Sequence, residues 1–424
     1  MPVVGKRSSE VKVLGGRLFP LWFKGMAGLL ILLLGVVAAT DRVLAAEPFP
    51  EVQARAHVVM EFDSGLVLDA HRADEPLPPA SLTKMMTGYL VLEKIRSGEI
   101  DWADPVRISP RAASIDEAQV YLVAGEEWTV RQLFEAMLVY SANDAAVALA
   151  EHLAGSEEAF VGWMNEKAKE LELTHTHFRN STGLNEASYP RPPEVEGEHV
   201  MSARDAALLA RRLLRDFPEV KEILSRPHIT FRGKEYPNWN RMLPGMSMAY
   251  EGLDGVKTGF TNEAGYCFVG TAERDGMRLV TAVMGTDSQS ARFQETGRLL
   301  DAGFENYVLK PLISKDKPLP GYRERIPVPN GVARDVALAA DRTLVLPVRK
   351  DQMEKYTFHV RYTREVKAPL AAGTPVAEVS VRYDGQKIPG VEPVRLLTRE
   401  SVEEASWVRL FFRKLGDTIS SWIE

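Results

Sequence analysis

Apolar positions change their period along this chain, and each change marks an element. A short apolar run from Ala54 to Met60 resumes at Val67-Leu68 after Asp63-Ser64-Gly65, which predicts a β-hairpin. Past Pro76, Pro78 and Pro79, the residues Leu82, Met85, Met86, Tyr89, Leu92 and Ile95 recur at helical spacing and predict a helix from Ser81 to Arg96. Thr129-Val130-Arg131-Gln132 has the form of a capping box ahead of Leu133, Phe134, Met137 and Leu138. That helix is expected to break near Ser141 and to restart from Asp144 to Ala154. Ser156 before Glu157 and Glu158, and Ser202 before Asp205, open two more helices, since hydroxyls cap and acids suit a first turn. The period then shortens to that of strands over Leu253–Thr258, Gly265–Ala272 and Met277–Met284, the last two joined at Arg274-Asp275-Gly276. A long helix from Ala291 to about Tyr307 follows.

Strands at both ends with helices gathered between them predict an α+β domain over residues 47–312, helices packed on an antiparallel sheet. The stretch from Pro311 to Pro320 reads as a linker. From Ile326 to Leu397 proline-punctuated strands predict a small all-β, sandwich-like domain over 313–400. In the last segment, 401–424, Ser401-Val402-Glu403-Glu404 has the form of a capping box, and Val408, Phe411, Phe412, Leu415, Ile419 and Trp422 fall on one helical face. Such a face either docks on its own domain or lies in a membrane interface; its aromatic residues and nearly balanced charge favour the membrane surface. At the other end, Lys6, Arg7, Lys12, Arg17 and Lys24 precede an uncharged run from Met26 to Ala39 and the small residues of Val43-Leu44-Ala45-Ala46. This is the pattern of a signal peptide over 1–46, with cleavage after Ala45 or Ala46. An uncleaved anchor is the alternative, although the run is shorter than the roughly 20 residues that span a bilayer. Either way the folded part is expected on the far side of a membrane.

Composition narrows the function classes. Across 424 residues, 45% hydrophobic and 26% charged describe an ordinary folded protein large enough for two domains. A net charge of −6 gives no electrostatic footprint for nucleic acid. The single cysteine, Cys267, cannot form an internal disulfide and sits in the apolar run Ala264–Gly270, so it reads as a buried thiol. The eight histidines, His175 and His177 included, show no metal-ligand spacing, and no metal or cofactor is expected. Oligomeric state leaves no mark on the sequence.

Three short strings carry the chemistry. In Pro79-Ala80-Ser81-Leu82-Thr83-Lys84, a hydroxyl and an amine stand one helical turn apart, so both project from one face. A serine needs a base to become a nucleophile, and Lys84 serves only if its pKa falls from about 10.4 towards neutrality. A second cation nearby would do that by repulsion, and Lys257 is the candidate. In Ser141-Ala142-Asn143, Ser141 is suited to relay a proton to a leaving amine, and Asn143 to donate to a substrate amide carbonyl. Lys257-Thr258-Gly259 reads as an edge strand along which a peptide lies, Gly259 leaving room for its approach. The backbone N–H groups of Ser81 and Phe260 would then form an oxyanion hole. Ser-x-x-Lys recurs at Ser9–Lys12 and Ser314–Lys317, but neither opens an apolar-periodic helix.

This triple is the signature of penicillin-binding proteins and class A β-lactamases. The chain resembles the type-5 low-molecular-mass penicillin-binding proteins, the serine-type D-alanyl-D-alanine carboxypeptidases. The likeness rests on Pro79–Thr87, His177-Phe178-Arg179-Asn180-Ser181-Thr182-Gly183-Leu184, Asp254–Thr261, Ala264-Gly265-Tyr266 and Arg278-Leu279. It implies an enzyme that removes the terminal D-alanine from peptidoglycan pentapeptides through a serine acyl-enzyme, inhibited by β-lactams. By the same likeness it sits at the periplasmic face of a bacterial inner membrane, held by its C-terminal helix. It assigns Ser81 as nucleophile, Lys84 as base, Ser141 and Asn143 as second motif and Lys257 with Thr258 as third. It also points to Arg292 as a holder of the substrate carboxylate, where the residues alone suggest a solvated helix position. Two departures stand out: Phe260 where close relatives often carry histidine, and an acidic loop from Pro190 to Glu198 with Glu194, Glu196 and Glu198. A DD-endopeptidase is the nearer alternative. A β-lactamase would need a glutamate-centred deacylation element between the second and third motifs, and a β-lactam sensor would need spans leading to a cytoplasmic domain.

Overall fold

The computed structural model describes residues 9–12, 49–319, 321–322 and 325–423, with side chains placed except in 9–12 and 419–423. It divides into two compact units, one from Pro48 to Asn306 and one that holds the chain from Tyr307 onward. The predicted signal peptide lies outside the described residues, apart from Ser9–Lys12, which forms a strand in the second unit.

The first unit contains β1 (Ala56–Glu61), β2 (Val67–His71), α1 (Lys84–Ser97), α2 (Asn143–Ala154), α3 (Glu157–Glu170) and α4 (Ala203–Asp216). It continues with β3 (Leu253–Thr261), β4 (Gly265–Arg274), β5 (Met277–Thr286) and α5 (Ala291–Asn306). The strands form one antiparallel sheet in the order β3-β4-β5-β1-β2, so the Lys257-Thr258-Gly259 strand is an edge. Helices α4 and α5 both pack on β5, which is buried almost throughout, as its continuous apolar run requires. The predicted capping box is present: Thr129 Oγ1 accepts from the Gln132 amide, and the Gln132 side chain accepts from the Thr129 amide. Ser156 and Ser202 cap α3 and α4 as expected. The first-motif helix starts differently from the expectation, as a 3-10 turn over Ala80–Thr83 that continues into α1. Leu82, Met85 and Met86 are fully buried there, each contributing about 1.5–3 kcal/mol of apolar burial. Gly98 ends α1 with a left-handed cap.

The second unit is all-β up to a terminal helix. Its main sheet runs through Ser9–Lys12, Tyr356–Tyr362, Pro375–Tyr383, Val394–Thr398, Asp335–Ala340 and Arg325–Pro327, every pair antiparallel. Two sequence expectations are corrected here. The supposed linker begins inside a strand, Tyr307–Ile313, which pairs with Leu344–Arg349; the register shifts between Pro311 and Ile313, and that irregularity accommodates the proline. Ser401–Glu404 is not a capping box either. Val402 is buried and exchanges backbone hydrogen bonds with Leu370 (2.7 and 2.8 Å), while Ser401 Oγ accepts from the Ala372 amide, so the segment is extended. The helix α6 (Trp407–Ile423) begins after Ser406. Arg413 donates to the Gly331 and Val332 carbonyls, and Arg334 pairs with Asp417. The apolar side chains Trp407, Phe411 and Phe412 stay 78%, 59% and 64% exposed. No helix among the described residues is long and apolar enough to cross a membrane.

Candidate active site

Three backbone devices bring the three strings together. Ala80 lies in the left-handed region (φ 48°), directly before Ser81. Gly183 (φ +87°) packs so closely there that a Cβ would come 1.8 Å from the Ala80 carbonyl oxygen. The helix from Val130 widens into a π-turn over Ala136–Tyr140 and stops at Ser141, itself left-handed (φ 72°), before α2 restarts at Asn143. Such π-turns and strained residues gather at functional sites. Gly259, on edge strand β3, passes so close to the first motif that a Cβ would stand 3.3 Å from the Ser81 amide nitrogen. A side chain at that position would crowd the amide expected to hold the oxyanion.

The result is two hydrogen-bonded groups, one on Lys84 and one on Lys257. Lys84 Nζ lies 2.9 Å from Ser81 Oγ and donates to Asn143 Oδ1 (2.7 Å) and the Thr182 carbonyl (2.8 Å). Burial holds the Lys84 pKa well below its ordinary value, and repulsion from Lys257 adds to this; the expected Coulomb effect is present but is the smaller cause. Lys257 Nζ donates to Ser141 Oγ (2.9 Å), and burial followed by the Arg292 charge lowers its pKa to about 7. Asn143 Nδ2 donates to the Asp116 carbonyl (2.9 Å), leaving its second hydrogen for a substrate carbonyl.

Arg292 is not a solvated helix residue: it is 3% exposed, with Nη1 donating to the Gly259 carbonyl (3.0 Å). Its Nε has no partner among the described residues, and burial lowers its pKa to about 10. Ser81, Ser141, Thr258, Gly259, Phe260 and Arg292 line one cleft of about 290 Å³, together with Glu117, Trp239, Tyr266 and Gln289. Phe260 is 45% exposed and stacks on Tyr266, so its ring forms part of the rim while its amide stays with the strand.

Sequence reasoning missed the supports. Thr182 acts through its carbonyl, which no side-chain pattern reveals. That loop hangs on Glu157, fully buried, whose carboxylate accepts from the Ser181 amide (2.9 Å), Ser181 Oγ, Tyr189 Oη and Arg111. Glu157 had been legible only as a first-turn acid. Trp239 Nε1 donates to the Tyr140 carbonyl (2.8 Å), bracing the second motif. Cys267 is buried and unpaired, its pKa raised to about 11 by burial, which suits the structural thiol expected. Among the described residues no group of three metal-ligating side chains stands together.

Residues 42–288 match the family described as D-alanyl-D-alanine carboxypeptidase, and residues 307–404 match the C-terminal domain of penicillin-binding protein 5. D-alanyl-D-alanine carboxypeptidase DacF of Bacillus subtilis is 33% identical, over 86% of this chain and 90% of that protein. DacC of Escherichia coli is also 33% identical, over 87% and 88%. Among solved structures, penicillin-binding protein 5 from Haemophilus influenzae superposes with a TM-score of 0.70 at 30% identity, covering 84% of this chain and 99% of that one. Penicillin-binding protein D2 from Listeria monocytogenes, in its ampicillin-bound form, gives 0.53 at 36% identity, covering 60% of this chain and all of its own.

Proposed function

The chain belongs to the D-alanyl-D-alanine carboxypeptidase family, and from that premise we propose that it is a penicillin-sensitive serine carboxypeptidase that trims the terminal D-alanine from peptidoglycan stem peptides. The observation that carries this reading is Lys84 Nζ, buried, depressed in pKa and 2.9 Å from Ser81 Oγ. A neutral Lys84 takes the Ser81 proton as Oγ attacks the penultimate carbonyl. The Ser81 and Phe260 amides receive the developing oxyanion. The charge of Lys257 and Arg292 and the Thr258 hydroxyl hold the terminal carboxylate. Ser141, already bonded to Lys257, passes its proton to the leaving D-alanine nitrogen and is reprotonated by the proton Lys84 took from Ser81, which leaves Lys84 neutral. Lys84 then deprotonates the water that attacks the ester, and that proton returns to Ser81 Oγ as the acyl group leaves.

A β-lactam presents a strained amide to the same serine. Intact-mass analysis should therefore find one penicillin adduct, at Ser81, and none in Ser81→Ala. D-alanine released from a pentapeptide, without cleavage of cross-linked dimers, separates the carboxypeptidase from an endopeptidase. An adduct on Ser81→Ala, or no D-alanine release, would refute the assignment.

We also propose that the chain is exported and lies on the periplasmic membrane face through α6. The support is the exposed Trp407, Phe411 and Phe412 together with the basic, apolar N-terminal pattern.

A further inference from the structure

Glu117 enters the cleft from a backbone conformation that residues bearing a Cβ seldom adopt, with φ 68°. The second motif clamps it from both sides: the Asn143 amide donates to the Ala118 carbonyl (2.7 Å), and Asn143 Nδ2 donates to the Asp116 carbonyl. The buried Asp144 carboxylate fixes the rest of the loop by accepting from the Val120 and Leu122 amides. The Glu117 side chain lines the cleft beside Ser81 and Ser141, is exposed, and makes no hydrogen bond or ion pair among the described residues. Of the residues lining that cleft, Glu117 and Arg292 are the charged ones, so the cleft carries opposite signs. The Glu117 charge also reaches the base, favouring the protonated form of Lys84 against burial and Lys257. The Phe260 ring adds an apolar surface to the same cleft, suited to the methylenes of a long side chain.

We propose that Glu117 is a specificity residue that selects acyl donors carrying a free ammonium on the residue before D-Ala-D-Ala. This rests on the carboxypeptidase reading and sharpens it. The preferred substrate is a stem whose basic side chain is unmodified; acylating that amine, as cross-linking does, removes the charge that Glu117 receives. The leaving end is read by Arg292 and Lys257 and the acyl end by Glu117, so the cleft favours a peptide with a carboxylate at its terminus and a cation upstream.

The test uses the full chain and two tripeptides, Nα-acetyl-lysyl-D-Ala-D-Ala with its side-chain amine free or acetylated. D-alanine release gives kcat/KM for each. The wild-type ratio should favour the free amine by about five- to tenfold, the range of a partly exposed, hydrogen-bonded charge pair. That ratio should shrink in about 0.5 M salt, where the Debye length is only a few ångströms. It should fall close to one in both Glu117→Gln, which keeps the size, and Glu117→Gly, which suits the left-handed backbone and keeps the test alive should the glutamine variant fold poorly. Equal wild-type kcat/KM values, or a preference that survives in the variants, would overturn the inference. Release of D-alanine from neither peptide would instead overturn the carboxypeptidase reading.

Discussion

Lys257 is 2% exposed, and Arg292 is the charge that helps lower its pKa to about 7. Two expectations follow from this single side chain. In the proposed mechanism acylation needs Lys84 neutral and carboxylate capture needs Lys257 charged, so kcat/KM for a D-Ala-D-Ala peptide should rise as Lys84 loses its proton and fall as pH climbs through about 7. Arg292→Gln removes a repulsion, lets Lys257 hold its proton longer and should move the falling limb to higher pH. A limb that stays put or moves down would exclude Lys257 as its source. The same shift bears on stability. Between about 7 and the ordinary value of 10.5 the unfolded chain holds a proton that folded Lys257 has shed, so this group makes stability increase with pH across that window. Below it, Lys257 is charged and buried, and its destabilising effect is complete. Lys257→Met should therefore raise stability by on the order of 1–4 kcal/mol at pH 6 while abolishing activity, with a smaller gain near pH 10. Thermal melts at the two pH values would show it; a gain larger at pH 10 would contradict the sign.

The loop from Arg179 to Leu184 has no regular structure, yet it packs on the residue before Ser81, the proposed nucleophile. Gly183→Ala puts a methyl into the Ala80 carbonyl and into a positive φ at once, and that carbonyl is backbone and cannot swing aside. A loss of about 3 kcal/mol or more is expected, with acylation by penicillin slowed beyond what the lower melting temperature explains. A variant that melts normally and labels at the wild-type rate would show that the loop does not position Ser81. This loop also marks where the sequence becomes hard to read. Ser81, Lys84, Ser141, Asn143 and Lys257–Gly259 were legible because each string combines a local backbone signal with a reactive side chain. Arg292 was not legible from its own segment, since an arginine one residue into an amphipathic helix looks solvated; burial is decided by β3 and β4, more than 20 residues earlier in the chain. Thr182 and Glu157 act through a backbone carbonyl and a buried anchor, and neither leaves a periodic trace. At the element level, patterning gave the sheet and most helices correctly, but it misread Tyr307–Ile313 because Pro311 sits where the register slips. It misread Ser401–Glu404 because a capping box and a polar strand end are spelled alike.

For the molecule as a whole, the place to separate the proposed anchor from the enzyme is set by the second unit's own hydrogen bonds. Val402 and Ala405 are buried, and the Ala405 amide donates to the Asn330 carbonyl (2.7 Å), so a cut at Ser401 would strip strand contacts as well as the helix. A chain ending at Ser406 should stay folded, leave the membrane fraction and still trim small peptides. The intact chain should resist a high-salt wash, because the apolar face of α6 outweighs its few charges. Salt release of the intact chain, or membrane retention of the shortened one, would rule out a hydrophobic anchor. The centre of the first unit has a different dependence on the whole. Lys84 bonds to partners 59 and 98 residues away, and Lys257 reaches Ser141 across 116. Each of these closes a long loop, and none forms while the intervening helices are unfolded. Lys84 stands only one turn from Ser81 along the chain, but in the proposed mechanism it becomes a base only where these contacts bury it; on an unfolded chain the amine keeps its proton, and a β-lactam meets a serine that nothing activates.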